Sequence, residues 1–387
     1  MSKLEELIQK YCPNGVEYKP LGDVTQVSRG TRVVKSQLSD SGYPVYQNCL
    51  TPMGCYDKTN CPGGTPFVIC GGAAGNVGYT DVDCWAADDC EYIESGDKAV
   101  NKYIYYCLIS NQHYLLSKVR KASIPRLSPS VIKDLEIPIP PLLIQEEIVR
   151  VLDTFTELQA ELQAELQKRL QQYEYYKWSV LENLSCPTKH ITEIALIKAR
   201  VGWQRLTTAE YLSSGDYYLI TGTDFKNGQI DFEHCVFVSK ERFEMDTNII
   251  VGKGDILITK DGTLGKVAFV TDEPNKPATL NSGVFRIHIT DENVSPRYLF
   301  HYFTSKYFTD FVNSVKTGST IPHLTQQGLV SLDIPIPSLE EQNRVVSILD
   351  RFDTLTNDLT AGLPAEIEKR RHQYEYYRDK LLTFKRI

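Results

Sequence analysis

The sequence has no apolar run approaching the length of a membrane span, and its opening residues, Met1-Ser-Lys-Leu-Glu-Glu-Leu7, are not those of a secretory leader. Both absences predict a cytoplasmic protein. No Cys-x-x-Cys pair occurs among the ten cysteines, and no histidine stands at zinc-finger spacing from any of them. That spacing argues against a metal site and leaves the thiols as small buried hydrophobes or free surface groups. A Gly-x-x-x-x-Gly-Lys-Ser/Thr phosphate loop is also missing. Gly262-Thr-Leu-Gly-Lys266 is too short for one and lacks the following hydroxyl. Neither a Phe-x-Gly-x-Gly cofactor loop nor an Asn/Asp-Pro-Pro-Tyr adenine-methylation motif is present, and Ile137-Pro-Ile-Pro-Pro141 lacks the polar head residue the latter needs. With no acid–lysine cluster and no Ser/His/Asp order, the chain is expected to carry no catalytic residue and to bind no cofactor itself.

Excess positive charge is lacking too. The formal net charge is −7, and its distribution is uneven. Residues 1–130 hold 13 basic and 13 acidic side chains, residues 131–187 hold 5 and 10, and residues 188–328 hold 15 and 16. The acid gathers in one connecting segment, while the two large blocks are neutral mixtures. A neutral block can still present a local basic face, but alone it would grip phosphates weakly.

What the sequence does contain is a repeat of itself. Ala122-Ser-Ile-Pro-Arg-Leu-Ser128 returns as Ser319-Thr-Ile-Pro-His-Leu-Thr325, and Leu135-Glu-Ile-Pro-Ile-Pro140 returns as Leu332-Asp-Ile-Pro-Ile-Pro337. Gln145 matches Gln342, Asp153 matches Asp350, and Phe155 matches Phe352, all 197 positions apart. Gln172-Tyr-Glu-Tyr-Tyr176 returns 201 positions later as Gln373-Tyr-Glu-Tyr-Tyr377, so the second copy carries about one extra helical turn. The preceding blocks match more faintly: Gly72-Ala-Ala-Gly75-Asn-Val77 parallels Gly262-Thr-Leu-Gly265-Lys-Val267. Two diverged blocks alternate with two conserved connectors.

The connectors read as long helices. Val151, Phe155, Leu158, Leu162, Leu166, Leu170 and Tyr173 step by ~3.7 residues, a nearly straight apolar stripe. The stretch 142–184 would be ~60 Å long at ~1.5 Å per residue. Ser338-Leu-Glu-Glu341 forms a capping box for the second connector, which Gly362-Leu-Pro364 should interrupt. Neither helix is stable alone, so the stripes are expected to pair. Within the blocks, Asp255–Thr259 and Gly283–Ile289 read as strands, and Tyr103–Leu108 and Tyr298–Phe303 as short aromatic helices. The expected fold is mixed α+β and α/β. It has two α/β recognition domains in tandem (1–135 and 188–332) and two helical spacers (136–187 and 333–387). Packed antiparallel like a coiled coil, the spacers would relate the repeats by a pseudo-twofold axis.

With these residues in view, the chain resembles the specificity subunits of type I restriction–modification enzymes. The likeness rests on Cys12-Pro-Asn-Gly-Val-Glu-Tyr18, Ile137-Pro-Ile-Pro140 with Gln145, the tandem Leu-Gln-Ala-Glu tetrads (158–165), Leu363-Pro-Ala-Glu-Ile367 and the two Gln-Tyr-Glu-Tyr-Tyr segments. The resemblance implies two target-recognition domains, each reading half of a split double-stranded DNA site. It implies two docked adenine methyltransferase subunits using S-adenosylmethionine, and an endonuclease/translocase subunit using ATP and Mg. The rival reading is a helical scaffold for a methyltransferase whose domains no longer read DNA; the neutral charge of the blocks favours it.

DNA-contacting candidates are polar or basic residues expected on loops of both blocks. In the first they are Arg29, Thr31, Arg32, Lys35, Gln47, Asn48, Asn76, Lys118, Arg120, Lys121 and Arg126. Gly30 is expected to give Arg29 and Arg32 the freedom to reach base edges. In the second they are Lys198, Arg200, Gln204, Arg205, Thr221, Thr223, Lys260, Thr263, Lys266, Lys316 and His323. For His323 a turn role and a phosphate contact stand side by side. Trp203 and most tyrosines are assigned to the core. Helix-interface candidates are Phe155, Leu158, Leu162, Leu166, Tyr173, Tyr176, Phe352, Tyr374 and Tyr377. The Tyr-Glu-Tyr-Tyr clusters serve either helix pairing or partner docking.

Overall fold

The computed structural model describes residues 3–121, 123–182, 186–201, 206–318, 322–358 and 361–387. The chain forms two compact units, Met1–Gln163 with Ile367–Ile387, and Ala164–Glu366.

In the first unit, β1 (Tyr18–Pro20), β2 (Thr25–Arg29), β3 (Tyr43–Tyr46), β4 (Cys55–Tyr56) and β5 (Phe67–Ile69) are followed by β6 (Val77–Gly78), β7 (Trp85–Ala86), β8 (Cys90–Ser95) and β9 (Glu136–Pro138). They make a four-stranded sheet of order β2-β8-β5-β6, a three-stranded sheet of order β4-β3-β7, and a β1-β9 ribbon. Strands β3 and β7 run parallel; the other pairs are antiparallel. Central β5 is apolar throughout because both its faces are covered. Val68 points into one core cluster, and Phe67 and Ile69 into another.

The second unit repeats this plan. Its strands are β10 (Thr188–His190), β11 (Ala195–Ala199), β12 (Tyr217–Ile220), the hairpin β13 (Phe225–Lys226) and β14 (Gln229–Ile230), and β15 (Val236–Val238). Then come β16 (Ile256–Thr259), β17 (Val267–Phe269), β18 (Ala278–Leu280), β19 (Val284–Ile289) and β20 (Asp333–Pro335). The sheet orders are β11-β19-β16-β17 and β15-β12-β18, with β12 and β18 parallel, plus a β10-β20 ribbon. Ile256 and Ile258 again enter one core and Leu257 the other. The duplication seen in the connectors therefore extends through both blocks, whose sequences have diverged while the order of their two main sheets has not; the β13-β14 hairpin is an addition of the second unit.

The expected aromatic helices are present as Asn101–Ser110 and Pro296–Phe303, and Tyr103, Tyr106 and Tyr298 are fully buried. Each is fastened to its connector helix by two matched contacts. Gln145, wholly buried, accepts from the Val100 N–H (3.0 Å) and donates to the carbonyls of Lys98 (2.9 Å) and Pro140 (2.7 Å). Gln342 does the same with Ser295 N–H (2.8 Å), Asn293 (2.9 Å) and Pro337 (2.8 Å). About two helical turns further on, Asp153 takes Lys102 and the Tyr106 hydroxyl, and Asp350 takes Arg297 and His301. The repeated Gln and Asp are thus structural fasteners.

The first connector is a single 41-residue helix, Leu142–Glu182. The second runs Leu339–Asn357 and the last Leu363–Leu381, with the expected break between them. A Cβ on Gly362 would lie 2.4 Å from the Thr354 carbonyl, so only glycine lets the chain close over that helix end. Ser338 caps as expected, but Glu341 turns its carboxylate to Arg344 rather than completing the box.

The apolar stripe is covered unevenly. At its start the fully buried face is Ile144, Ile148 and Leu152, which meets the aromatic helix, while Val151 is only half-buried. Leu162 and Leu166 are half-buried and Leu158 is 43% exposed, which corrects the expectation of a continuous seam. The Leu-Gln-Ala-Glu tetrads owe their helix to propensity more than to burial.

Candidate nucleic-acid interface

In the first unit the hairpin between β5 and β6 turns through Gly72 and Gly75, both with positive φ (+82° and +89°). Pro125 and Arg126 of the following loop lie against it. Arg120 and Arg126 close that loop by two backbone hydrogen bonds (2.9 and 3.2 Å), and the Gly72 N–H donates to the Pro125 carbonyl (3.1 Å). The Arg126 guanidinium pairs with Asp89 at 3.1 Å. A Cβ on Gly71 would sit 2.4 Å from the Asp89 carboxylate, so a larger residue there would push the Asp89 side chain aside. Arg29 ends β2 directly across from Glu91, and its Nε donates to the Asp88 carbonyl at 3.0 Å.

These pieces line one cavity of about 260 Å³. Arg29, Arg120 and Arg126 share it with Asp88, Asp89, Glu91 and Cys70. Burial pushes the Glu91 carboxyl up from its ordinary value, against the pull of Arg29 and Lys133. Burial likewise pushes the Cys70 thiol up to about 12, leaving it protonated and inert.

The other candidates of this unit surround that centre unequally. Thr31, Arg32 and Lys35 are exposed. They sit on a segment held by the Trp85 indole N–H, which donates to the Thr31 carbonyl (2.7 Å). Gly30 is not the flexible joint expected. It is buried, and a Cβ there would meet the Ala86 and Ala87 carbonyls at 2.2–2.3 Å. Its role is close packing, and the segment is fixed. Asn48 is exposed beside Gly72 and accepts the Ala73 N–H through its carbonyl (2.9 Å); Gln47 and Asn76 are half-buried. Lys118 lies over the Tyr114 ring (5.2 Å), and Lys121 is exposed.

The second unit builds the same turn and loop from different residues. Gly262 and Gly265 carry positive φ (+71° and +74°), and Thr317 and His323 close the loop with bonds of 2.9 and 2.8 Å. His323 binds Asp261, as Arg126 binds Asp89. The match ends at the floor. Ala199 pairs across from Phe285 where the first unit has Arg29 and Glu91, and the Lys260 ammonium lies over the Phe285 ring at 5.3 Å. Lys198, Thr263 and Lys266 are exposed; Lys316 is exposed and donates to Asn313 (2.9 Å). Thr221 and Thr223 bond each other (2.7 Å), and Thr221 caps the short turn Gly222–Asp224, a local structural task.

Arg200 corrects the expectation of a surface cation. It is 2% exposed, its Nε donates to the Leu280 carbonyl (2.8 Å), and burial lowers its pKa. Gln204, Arg205 and Trp203 lie outside the described residues. Sequence reasoning missed Asp88, Asp89, Glu91 and Asp261 because it sought neutral polar and basic residues and left carboxylates out; Arg126 and His323, matched in the repeat, were the signal that their acidic partners also belong to the site. Among the described residues, Asp231, Glu233 and His234 bring three possible metal ligands together, but Lys226 and His234 already occupy Asp231.

On the helices, the aromatic contacts also repeat. Phe155 stacks on Tyr377 (5.5 Å), and Phe352 meets Tyr173 (5.9 Å) and Tyr176 (5.2 Å). Tyr374 is half-buried in the first core with Arg378 over its ring (5.6 Å). The middle tyrosines, Tyr175 and Tyr376, are 64% and 61% exposed. Helix packing thus takes part of each cluster and leaves one tyrosine free of it.

The family model described as "Type I restriction modification DNA specificity domain" matches residues 13–172 and again 188–369. The chain is 31% identical to the EcoR124I/EcoR124II specificity subunit of Escherichia coli, over 99% of this chain and 97% of that one. A solved type I S subunit from M. genitalium superposes with a TM-score of 0.60 at 17% identity, over 96% and 97% of the two chains. A chain from a structure addressing complex assembly and conformational transition of the type I R-M system gives 0.61 at 16% identity, over 96% and 98%.

Proposed function

The chain belongs to the type I restriction–modification DNA specificity family, and on that premise we propose that each of its two units reads one half of a split, asymmetric duplex DNA target. It is a specificity subunit, the non-catalytic, sequence-recognising part of a multisubunit complex. No helix among the described residues is long and apolar enough to cross a membrane.

One observation carries the reading of two half-sites. Both units share sheet order, glycine turn and closed loop, yet the side chains gathered there differ: Arg29, Glu91 and Arg126 in one, Ala199, Phe285 and His323 in the other. Equal frames with unequal linings suit two readers of unlike sequences. In this reading residues 1–135 and 188–332 are the recognition domains, and residues 136–187 and 333–387 are spacers. Two methyltransferase subunits dock on the spacers, with exposed Tyr175 and Tyr376 as equivalent contacts, and bring S-adenosylmethionine. An endonuclease/translocase subunit brings ATP and Mg. The neutral charge of the blocks fits affinity shared with those subunits.

The test is selection from a random duplex library by the full chain bound to its methyltransferase. The expected product is two short motifs separated by an unread spacer. A complex that forms but enriches no split motif would overturn the reading in favour of a non-reading scaffold.

A further inference from the structure

The arginines and carboxylates of the first unit's cavity are not all spent on one another. Arg126 gives one N–H to Asp89, and Arg29 gives its Nε–H to a backbone carbonyl. A guanidinium presents five N–H donors in a planar fork, so both keep donors directed elsewhere. On the acceptor side, Asp88 Oδ1 is buried without a partner. Glu91 is 4% exposed and, among the described residues, lies near Arg29 and Lys133 without a side-chain hydrogen bond to either. Buried acceptors without donors are costly to maintain. Both residues line the same cavity as Arg29, Arg120 and Arg126, so carboxylates and guanidinium groups stand together there, a lining that suits a ligand with both donors and acceptors.

A base-pair edge is such a ligand. In the major groove a G·C pair offers guanine N7 and O6 as adjacent acceptors and cytosine N4 as a donor; arginine takes the first two bidentately and a carboxylate takes the third. We propose that this cavity reads one G·C base pair in the first unit's half-site, its guanidinium groups on guanine and its unpartnered carboxylates accepting from cytosine N4. The proposal rests on the DNA-reading function above and adds the base and the residues. It also assigns the requirement to one half-site only. The second unit has Ala199 and Phe285 at the register positions of Arg29 and Glu91, so it offers no carboxylate there.

The experiment repeats the random-library selection with the full chain in its methyltransferase complex, as wild type, Glu91→Gln and Asp88→Asn. Replacing a carboxylate by an amide keeps the shape and removes the charged acceptor. In the wild type, one position of one half-site is expected to be fixed as G·C. In each variant that preference should fall by about ten-fold or more, the scale of a lost base contact, while the other half-site stays unchanged. Thermal melting checks that the variants fold; if Glu91→Gln does not, Asp88→Asn, at a partly exposed residue, decides the matter. An A·T pair at the sensitive position, or G·C preference kept in full by the folded variants, overturns the proposal. Failure of the wild type to enrich any split motif would instead overturn the function it rests on.

Discussion

Replacing Gln145 by Leu keeps a side chain of similar bulk, one bond shorter, and removes its amide. Three backbone groups then lose their partner: the part-buried Val100 N–H and Lys98 carbonyl and the buried Pro140 carbonyl, now at 3.0, 2.9 and 2.7 Å. An unsatisfied buried group costs ~1–3 kcal/mol, and carbonyls suffer less than an N–H because they recover partners more easily. Because water can reach the two part-buried groups, the sum expected is about 2–4 kcal/mol, still a sizeable share of the ~5–15 kcal/mol that holds a domain folded. Urea unfolding of the full chain, followed by circular dichroism, measures it. Gln167→Leu is the control, since Gln167 is exposed on the same helix and should shift stability by less than ~0.5 kcal/mol. Gln342→Leu should reproduce the loss in the second unit, whose three bonds match. A loss below ~1 kcal/mol at Gln145 would refute the claim that this amide fastens the helix to the sheet domain.

Three further outcomes are expected. Hydrogen bonds from Arg150 and Lys3 hold the Glu147 carboxyl down at about 2, so its contribution is complete above the usual carboxylate range and disappears as pH falls toward 2. Urea midpoints of wild type and Glu147→Gln should therefore differ at pH 7 and converge near pH 2; a constant gap would contradict this. Arg29→Ala with Arg32→Ala should weaken cognate DNA binding by a few kcal/mol, at ~1–3 kcal/mol per lost base contact. Its melting temperature should stay close to that of the wild type; a large fall in stability with unchanged affinity would make both residues structural. Deleting residues 162–165 removes about one turn and shortens the 41-residue helix by ~6 Å at ~1.5 Å per residue. Methylome sequencing should then show both half-sites intact with one or two base pairs fewer between them, at ~3.4 Å per base pair. An unaltered spacer at full activity would show that this helix does not set the distance.

The sequence by itself determined the duplication, the connector helices and their break at Gly362, the two central strands of the second block and the aromatic helices. Each is written in a local period, a cap or a repeated string, and local periods survive any tertiary context that buries the same face. Only the tertiary structure decided which polar residues share a site. Arg29 and Arg126 meet because β2 pairs with β8 and the 120–126 loop closes against a glycine turn, contacts made between segments dozens of residues apart. The same long-range packing buried Arg200, turned Gly30 from a hinge into a contact, and made fasteners of Gln145 and Gln342. A residue type states what a side chain can bond to. Strand register and loop closure decide what it reaches, and no local pattern encodes them.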